Sequence, residues 1–125
     1  MKKAAAAGLL LAAMLALSLW NIRHVDRFTG ELTGQLRQSM DSCRQGNAEE
    51  AEQLLRAALE RWHREEGYTH IFIRHAEVDA ATDAFYEILT LLQEENEGVY
   101  AAYGRLEEHL RCISAMEHIT VKSVF

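Results

Sequence analysis

One group of side chains in this sequence has the residue types and the spacing that suit ligand binding. Its members are aromatic or basic: Trp62, His70, Arg74 and His75. An arginine presents a planar fork of N–H donors, so Arg74 would hold an anionic group in such a pocket. In the competing interpretation the residues are structural: a buried, neutral His75 bonds to Thr82 or to a backbone carbonyl, and Arg74 pairs with Glu77 on the surface.

The existence of this pocket depends on how the chain folds around Gly67. If one helix ends at Gly67 and the next folds back directly, Trp62 lies level with Phe72, and His75 lies about 4.5 Å further along the axis. The apolar stripes of both helices would face the core. The indole of Trp62 and the imidazole of His75 would then touch.

Other kinds of chemistry lack a matching motif. The six histidines and two cysteines form no ligand set with metal-binding spacing, and Arg74 places a cation beside His70 and His75. The sequence contains no nucleophile motif, phosphate-binding glycine loop or dinucleotide fingerprint. We therefore predict no catalytic residue, no metal, no cofactor and no enzymatic activity.

Cys43 and Cys112 test the arrangement of the helices. With turns near Gly46, Gly67 and Gly98, an up-and-down bundle would place both thiols at one height. A disulfide there would close a long loop and contribute about 2–4 kcal/mol, provided that the Cα atoms come within about 7 Å. The alternative is two free thiols that pack as small apolar side chains.

The elements that position these residues begin with an apolar segment. Two lysines precede Ala4–Ile22, an uncharged run that as a helix would be about 28 Å long and match the hydrocarbon core of a bilayer. We predict that residues 1–22 are a transmembrane signal anchor, which contacts lipid through residues 4–22 and ends at an interfacial Trp20. A cleaved secretory signal, with small residues at 16–18 as its cleavage site, is the alternative.

The charges around this segment predict its orientation. Lys2 and Lys3 precede the span, whereas Arg23, Asp26 and Arg27 nearly cancel after it, so we expect a cytoplasmic N-terminus and an extracytoplasmic remainder at the cell membrane. The chain carries 13 basic and 19 acidic residues, and without the two N-terminal lysines its net charge is −8. This acidity argues against binding to nucleic acid and against electrostatic adhesion to anionic lipid.

Residues 23–125 show the periodicity of an all-α fold, and no proline interrupts it. We predict an antiparallel bundle of about four helices, the first of which continues from the transmembrane helix. Gly46-Asn47 ends the first helix and starts the second, which runs from about residue 48 to 66. The third runs from about residue 69 to 95, and the fourth starts at Val99. The tail Ile119–Phe125 is expected to fold back as a short helical turn or an extended cap.

Each predicted helix has one apolar stripe and a charged back, so the helices are stable only when the stripes pack together. The inward positions are Val25, Phe28, Leu32, Leu36, Met40 and Cys43; Ala51, Leu55, Ala58 and Trp62; Ile71, His75, Val78, Thr82, Phe85, Leu89 and Leu92; and Val99, Tyr103, Leu106, Leu110 and Ile113.

The order and spacing of several short motifs resemble the bacterial domain-of-unknown-function family 4363. They are Trp20-Asn21 after the apolar span, Trp62, Tyr68-Thr69-His70 before Arg74-His75, and the ending Thr120–Phe125, where Ser123 replaces the asparagine common in the family. The resemblance implies a short single-pass helical membrane protein, found mainly in spore-forming Gram-positive bacteria, with no established activity. Because family members tend to be encoded beside small multi-span membrane proteins, it also implies a membrane-protein partner.

These observations favour a membrane-anchored, extracytoplasmic interaction module that performs no catalysis and holds a partner by helix packing. A small-ligand-binding or enzymatic pocket of Trp62, Arg74 and His75 is one alternative. A tetratricopeptide-like peptide binder is another, because residues 46–51 with Ala58-Leu59 resemble the turn and second helix of one such repeat. Only one copy of that repeat is visible, and such solenoids need several.

Overall fold

The computed structural model describes the backbone of residues 1–69 and 75–124 and, within these ranges, all side chains except those of residues 66–69, 75, 117 and 119–124. Its four helices are α1 (Lys2–Arg44), α2 (Ala48–Thr69), α3 (His75–Gln93) and α4 (Val99–Val124). The described residues contain no strand. The all-α prediction is therefore confirmed.

α1 is one uninterrupted helix of 43 residues with two different surroundings. From Met1 to Leu17 every side chain is exposed, whereas Ile22 and the inward positions as far as Leu36 are buried. Judged by length and composition, α1 is long and apolar enough to cross a membrane. The change from exposed to buried apolar side chains falls close to the predicted end of the anchor.

The turn between α1 and α2 forms as the sequence predicts. Gly46 has a φ of 83°, a left-handed conformation that glycine adopts without steric cost. Asn47 caps α2: its Oδ1 accepts from the backbone N–H of Glu50 at 3.1 Å, and its Nδ2 donates to the Glu50 carboxylate at 2.9 Å. This capping box satisfies a backbone donor at the start of α2.

Two other boundaries differ from the prediction. Gly67 does not end α2, which continues to Thr69, so the third helix does not start there. A glycine inside a helix costs only about 1 kcal/mol relative to alanine, and packing of the rest of the helix offsets that cost. The expected turn or cap at the C-terminal end is also wrong as far as Val124, because α4 continues as helix to that residue.

The helices form a closed ring of antiparallel neighbours. α1 packs against α2 and α4, and α3 packs against the same two helices, whereas the described backbones of diagonal pairs stay apart. All predicted inward residues with described side chains are buried or half-buried. Because the ring is closed, the described helices leave no open concave face, which a tetratricopeptide groove requires.

One polar network crosses the apolar core. Ser39 Oγ donates to the carbonyl of Ala51 at 2.6 Å and lies 2.6 Å from the hydroxyl oxygen of Tyr103. A serine hydroxyl has a single proton, so Tyr103 is the donor in the second bond. The network thereby joins α1, α2 and α4 through hydrogen bonds that are shielded from water.

We predict that Ser39→Ala lowers the free energy of unfolding by about 1–3 kcal/mol, because it leaves the buried Tyr103 hydroxyl without its acceptor. Ser39→Ala combined with Tyr103→Phe should cost less than the sum of the single changes, since no unpaired hydroxyl remains. Denaturation of the full-length protein in detergent, followed by circular dichroism, measures all three values. Strict additivity would contradict the network.

Candidate functional site

Trp62, the centre of the predicted ligand pocket, is a core residue. Its side chain is 0% exposed, and the indole Nε1 donates to Thr82 Oγ1 at 2.8 Å. Thr82 in turn donates to the carbonyl of Val78 at 3.0 Å. The rings of Phe28 and Phe85 flank the indole, with centroids 6.1 and 6.2 Å away. With its polar atom bonded and no exposed surface, Trp62 does not line an open pocket.

The described structure does not bring the other predicted pocket residues to Trp62. His70 and Arg74 lie outside the described residues, and His75 begins α3 with its side chain outside them. Trp62 bonds to Thr82, which follows His75 by two helical turns, or about 10 Å along the axis. The backbone therefore does not place His75 level with Trp62, and ligand binding by His70, Arg74 and His75 stays a prediction.

Cys43 and Cys112 are free thiols, as in the alternative to the candidate disulfide. Cys43 is half-buried at the end of α1 and interacts with the hydroxyl of Tyr100, whereas Cys112 is exposed. Tyr100 and Cys112 are separated by about 18 Å along α4, given the usual rise per residue. The thiols occupy different heights because the second turn does not lie at Gly67, which changes the register of the later helices.

A cavity of about 320 Å³ lies at the end of the bundle away from the apolar span, between the α1–α2 turn and the α3–α4 turn. There the hydrogen bond with Cys43 and burial raise the pKa of Tyr100, while the nearby Arg44 guanidinium opposes the shift. Burial raises the pKa of the adjacent Tyr103 to about 12. Neither phenol is suited to exchange a proton near neutral pH. The described side chains also contain no group of three His, Cys, Asp or Glu that could hold a metal.

A second group of side chains, missed by the sequence analysis, lies where α1 leaves its apolar part. Trp20, Arg23, His24 and Arg27 line a pocket of about 260 Å³. The rings of Trp20 and His24 stack with centroids 5.4 Å apart, and His24 Nε2 lies 3.0 Å from Glu65 Oε2 on α2. Steps of three and four residues beginning at Trp20 were the available signal, because they place all four side chains on one helix face.

Stacked rings connect this pocket to the core. His24 stacks on Phe28 with centroids 6.5 Å apart and an interplanar angle of 5°, and Phe28 stacks on Trp62 at 6.1 Å. Trp20 itself is 56% exposed. The four stacked rings therefore hold the exposed indole of Trp20 in a fixed position relative to the buried indole of Trp62.

Comparison with known protein families identifies the chain. A domain of unknown function, DUF4363, matches residues 19–124. The chain belongs to this family. The match includes Trp20 and the whole described bundle and omits most of the apolar segment, and the resemblance noted from the sequence is thereby confirmed. Comparison of this DUF4363 chain with curated proteins and with solved structures finds no match.

The two tryptophans provide a matched test of this arrangement. We predict that Trp62→Ala lowers the free energy of unfolding by about 3–5 kcal/mol, because it opens a cavity in the core. Trp20→Ala should change it by about 0.5 kcal/mol or less, as is usual for an exposed site. Chemical denaturation of both full-length variants in detergent measures the difference. Equal losses would contradict the described burial.

Proposed function

We propose that this DUF4363 protein is a single-pass membrane-anchored interaction module that performs no catalysis. Residues 4–22 lie in the bilayer, the N-terminus is cytoplasmic, and the bundle of residues 23–125 is extracytoplasmic. The change of surroundings within α1 carries the proposal: the helix is apolar and exposed up to Trp20 and buries its inward face from Ile22 onward. An exposed surface of that size on a soluble protein would promote aggregation, whereas lipid covers it.

The continuity of α1 supports an anchor rather than a cleaved signal. No break in the helix separates its apolar part from the bundle, and the rings of Trp20 and His24 stack across the boundary. An indole at this position suits the interface between hydrocarbon and water. The bundle is thus held at the membrane surface by the helix that forms part of its core.

The exposed apolar surface indicates where a partner binds. All but two of the exposed large apolar side chains among the described residues lie within residues 1–20. Gly8, Ala12 and Ala16 lie on one face there, and small residues at this spacing allow two helices to approach closely in lipid. The partner is therefore a membrane protein, such as a multi-span protein, that packs on this face.

We predict that a membrane-impermeant maleimide labels Cys112 in intact cells, because this thiol is exposed. Cys112→Ser should remove most of the label, since Cys43 is half-buried. In a Cys43→Ser/Cys112→Ser background, Lys3→Cys should react only after permeabilisation. Labelling of Cys112 only in permeabilised cells would reverse the orientation, and recovery of a shortened chain from the medium would show a cleaved signal.

We predict that a photo-crosslinking amino acid at Leu15 captures one membrane protein in intact cells, while the same group at Leu17 captures much less. The two exposed leucines lie on opposite faces of the helix: Leu15 is on the same face as Gly8, and Leu17 is on the other. Exposed Gln53 on α2 is the control for contacts made by the bundle. Capture mainly from Gln53, or equal capture from both leucines, would contradict the proposed interface.

A further inference from the structure

Most arginines of the described bundle are paired with carboxylates. The pairs are Arg37 with Glu107, Arg44 with Asp41, Arg56 with Glu52, Arg61 with Glu31, Arg105 with Glu87, and Arg111 with Glu108. In the part of the chain that the structure describes, Arg23, Arg27 and Arg64 have no such partner. All three lie at the end of the bundle nearest the apolar span, so unpaired positive charge is concentrated there.

Nearby carboxylates are bonded to side chains other than these arginines: Glu31 pairs with Arg61, although it lines a small pocket with Arg27 and Glu65. Asp26 accepts hydrogen bonds from Ser114 Oγ and from His118 Nε2, the latter at 2.9 Å, and therefore faces α4. Glu65 lies against His24 on the side of α2. Asp26 therefore forms no ion pair with Arg23 or Arg27, the two arginines whose charge it nearly cancels in the sequence.

Arg23 and Arg27 are exposed on the outward face of α1 and line the 260 Å³ pocket with Trp20 and His24. They are one helical turn apart, so their Cα atoms differ in height by about 6 Å, a distance similar to the thickness of one headgroup layer. Trp20 marks the boundary with the hydrocarbon. Two guanidinium groups are thus held at headgroup depth beside a stacked indole.

We propose that this pocket binds the phosphate of an anionic phospholipid headgroup in the leaflet from which the bundle emerges. The inference rests on the proposed membrane anchoring. Guanidinium groups donate pairs of parallel hydrogen bonds to phosphate oxygens, and the Trp20 indole packs against the glycerol and upper acyl chain. The bound lipid supplies the ion-pair partner that Arg23 and Arg27 lack among the described side chains.

The net charge of −6 does not oppose this site, because screening limits its reach. At physiological ionic strength exposed charges are largely screened beyond about 8 Å. The paired carboxylates of the outer bundle lie several helical turns from Trp20. The lipid therefore contacts two arginines that have no ion-pair partner among the described side chains of an acidic protein.

The test uses the full-length protein in phosphatidylcholine vesicles that contain a minority of phosphatidylglycerol, with bromine on the acyl chains of one lipid or the other. Bromine quenches tryptophan fluorescence at contact, so exposed Trp20 reports the neighbouring lipid and buried Trp62 gives a constant background. We expect phosphatidylglycerol to be enriched around Trp20 by about fivefold for each arginine.

Matched variants separate the site from net charge. Arg23→Gln/Arg27→Gln should abolish the enrichment, while Arg23→Lys/Arg27→Lys should retain part of it, because lysine keeps the charge and loses the paired geometry. Arg56→Gln/Arg105→Gln removes the same charge far from the membrane and should leave the enrichment unchanged.

Quenching in proportion to the lipid fraction, or an equal loss in the Arg56→Gln/Arg105→Gln variant, would overturn the headgroup site. Loss of enrichment on addition of inorganic phosphate would show that the pocket takes free phosphate and would also overturn it. Absence of quenching by either brominated lipid is a distinct result, since it would overturn membrane anchoring itself.

Discussion

The structure depends on one constraint: a single helix, α1, has to satisfy two environments without a break. Its first part has leucine and alanine on all sides, which only lipid or another apolar surface can cover, and its second part packs one apolar stripe against the two neighbouring helices α2 and α4. The stacked rings of Trp20, His24, Phe28 and Trp62 connect these parts. Anything that displaces α1 in the bundle therefore also displaces the side chains where its apolar part meets the bundle.

The closed ring of helices determines where function can reside. Each inward stripe is used by its two neighbours, and the buried polar atoms of Ser39, Tyr103 and Trp62 are bonded to partners inside the protein. Side chains with all their bonding capacity used internally have nothing left for a substrate. Among the described residues, candidate recognition surfaces are therefore on the outside of the bundle: the exposed apolar part of α1, Arg23 and Arg27 beside it, and the cavity between the α1–α2 and α3–α4 turns.

The periodicity of apolar residues was sufficient to predict the fold, but glycines did not identify every turn correctly. The stripes from Val25 to Ile113 follow from steps of three and four, and Gly46-Asn47 carries both the left-handed residue and the cap that a turn needs. Gly67 is also a glycine, but no capping residue follows it directly, and α2 continues past it. A misplaced turn shifts every later helix by about twice its own error, because each helix reverses direction. This shift explains why His75 does not lie level with Trp62 and why Cys43 and Cys112 lie at different heights.

The sequence did not single out Arg23 and Arg27 for a related reason. A sum over neighbouring residues treats Arg23, Asp26 and Arg27 as nearly neutral, but residues three apart on a helix point in directions that differ by about 60°, and Asp26 is drawn toward α4 by Ser114 and His118. Charge that cancels along the chain is thus separated in space by packing. In an acidic bundle where most described arginines already have a carboxylate, the remaining arginines are the positions at which we propose that an external anion binds.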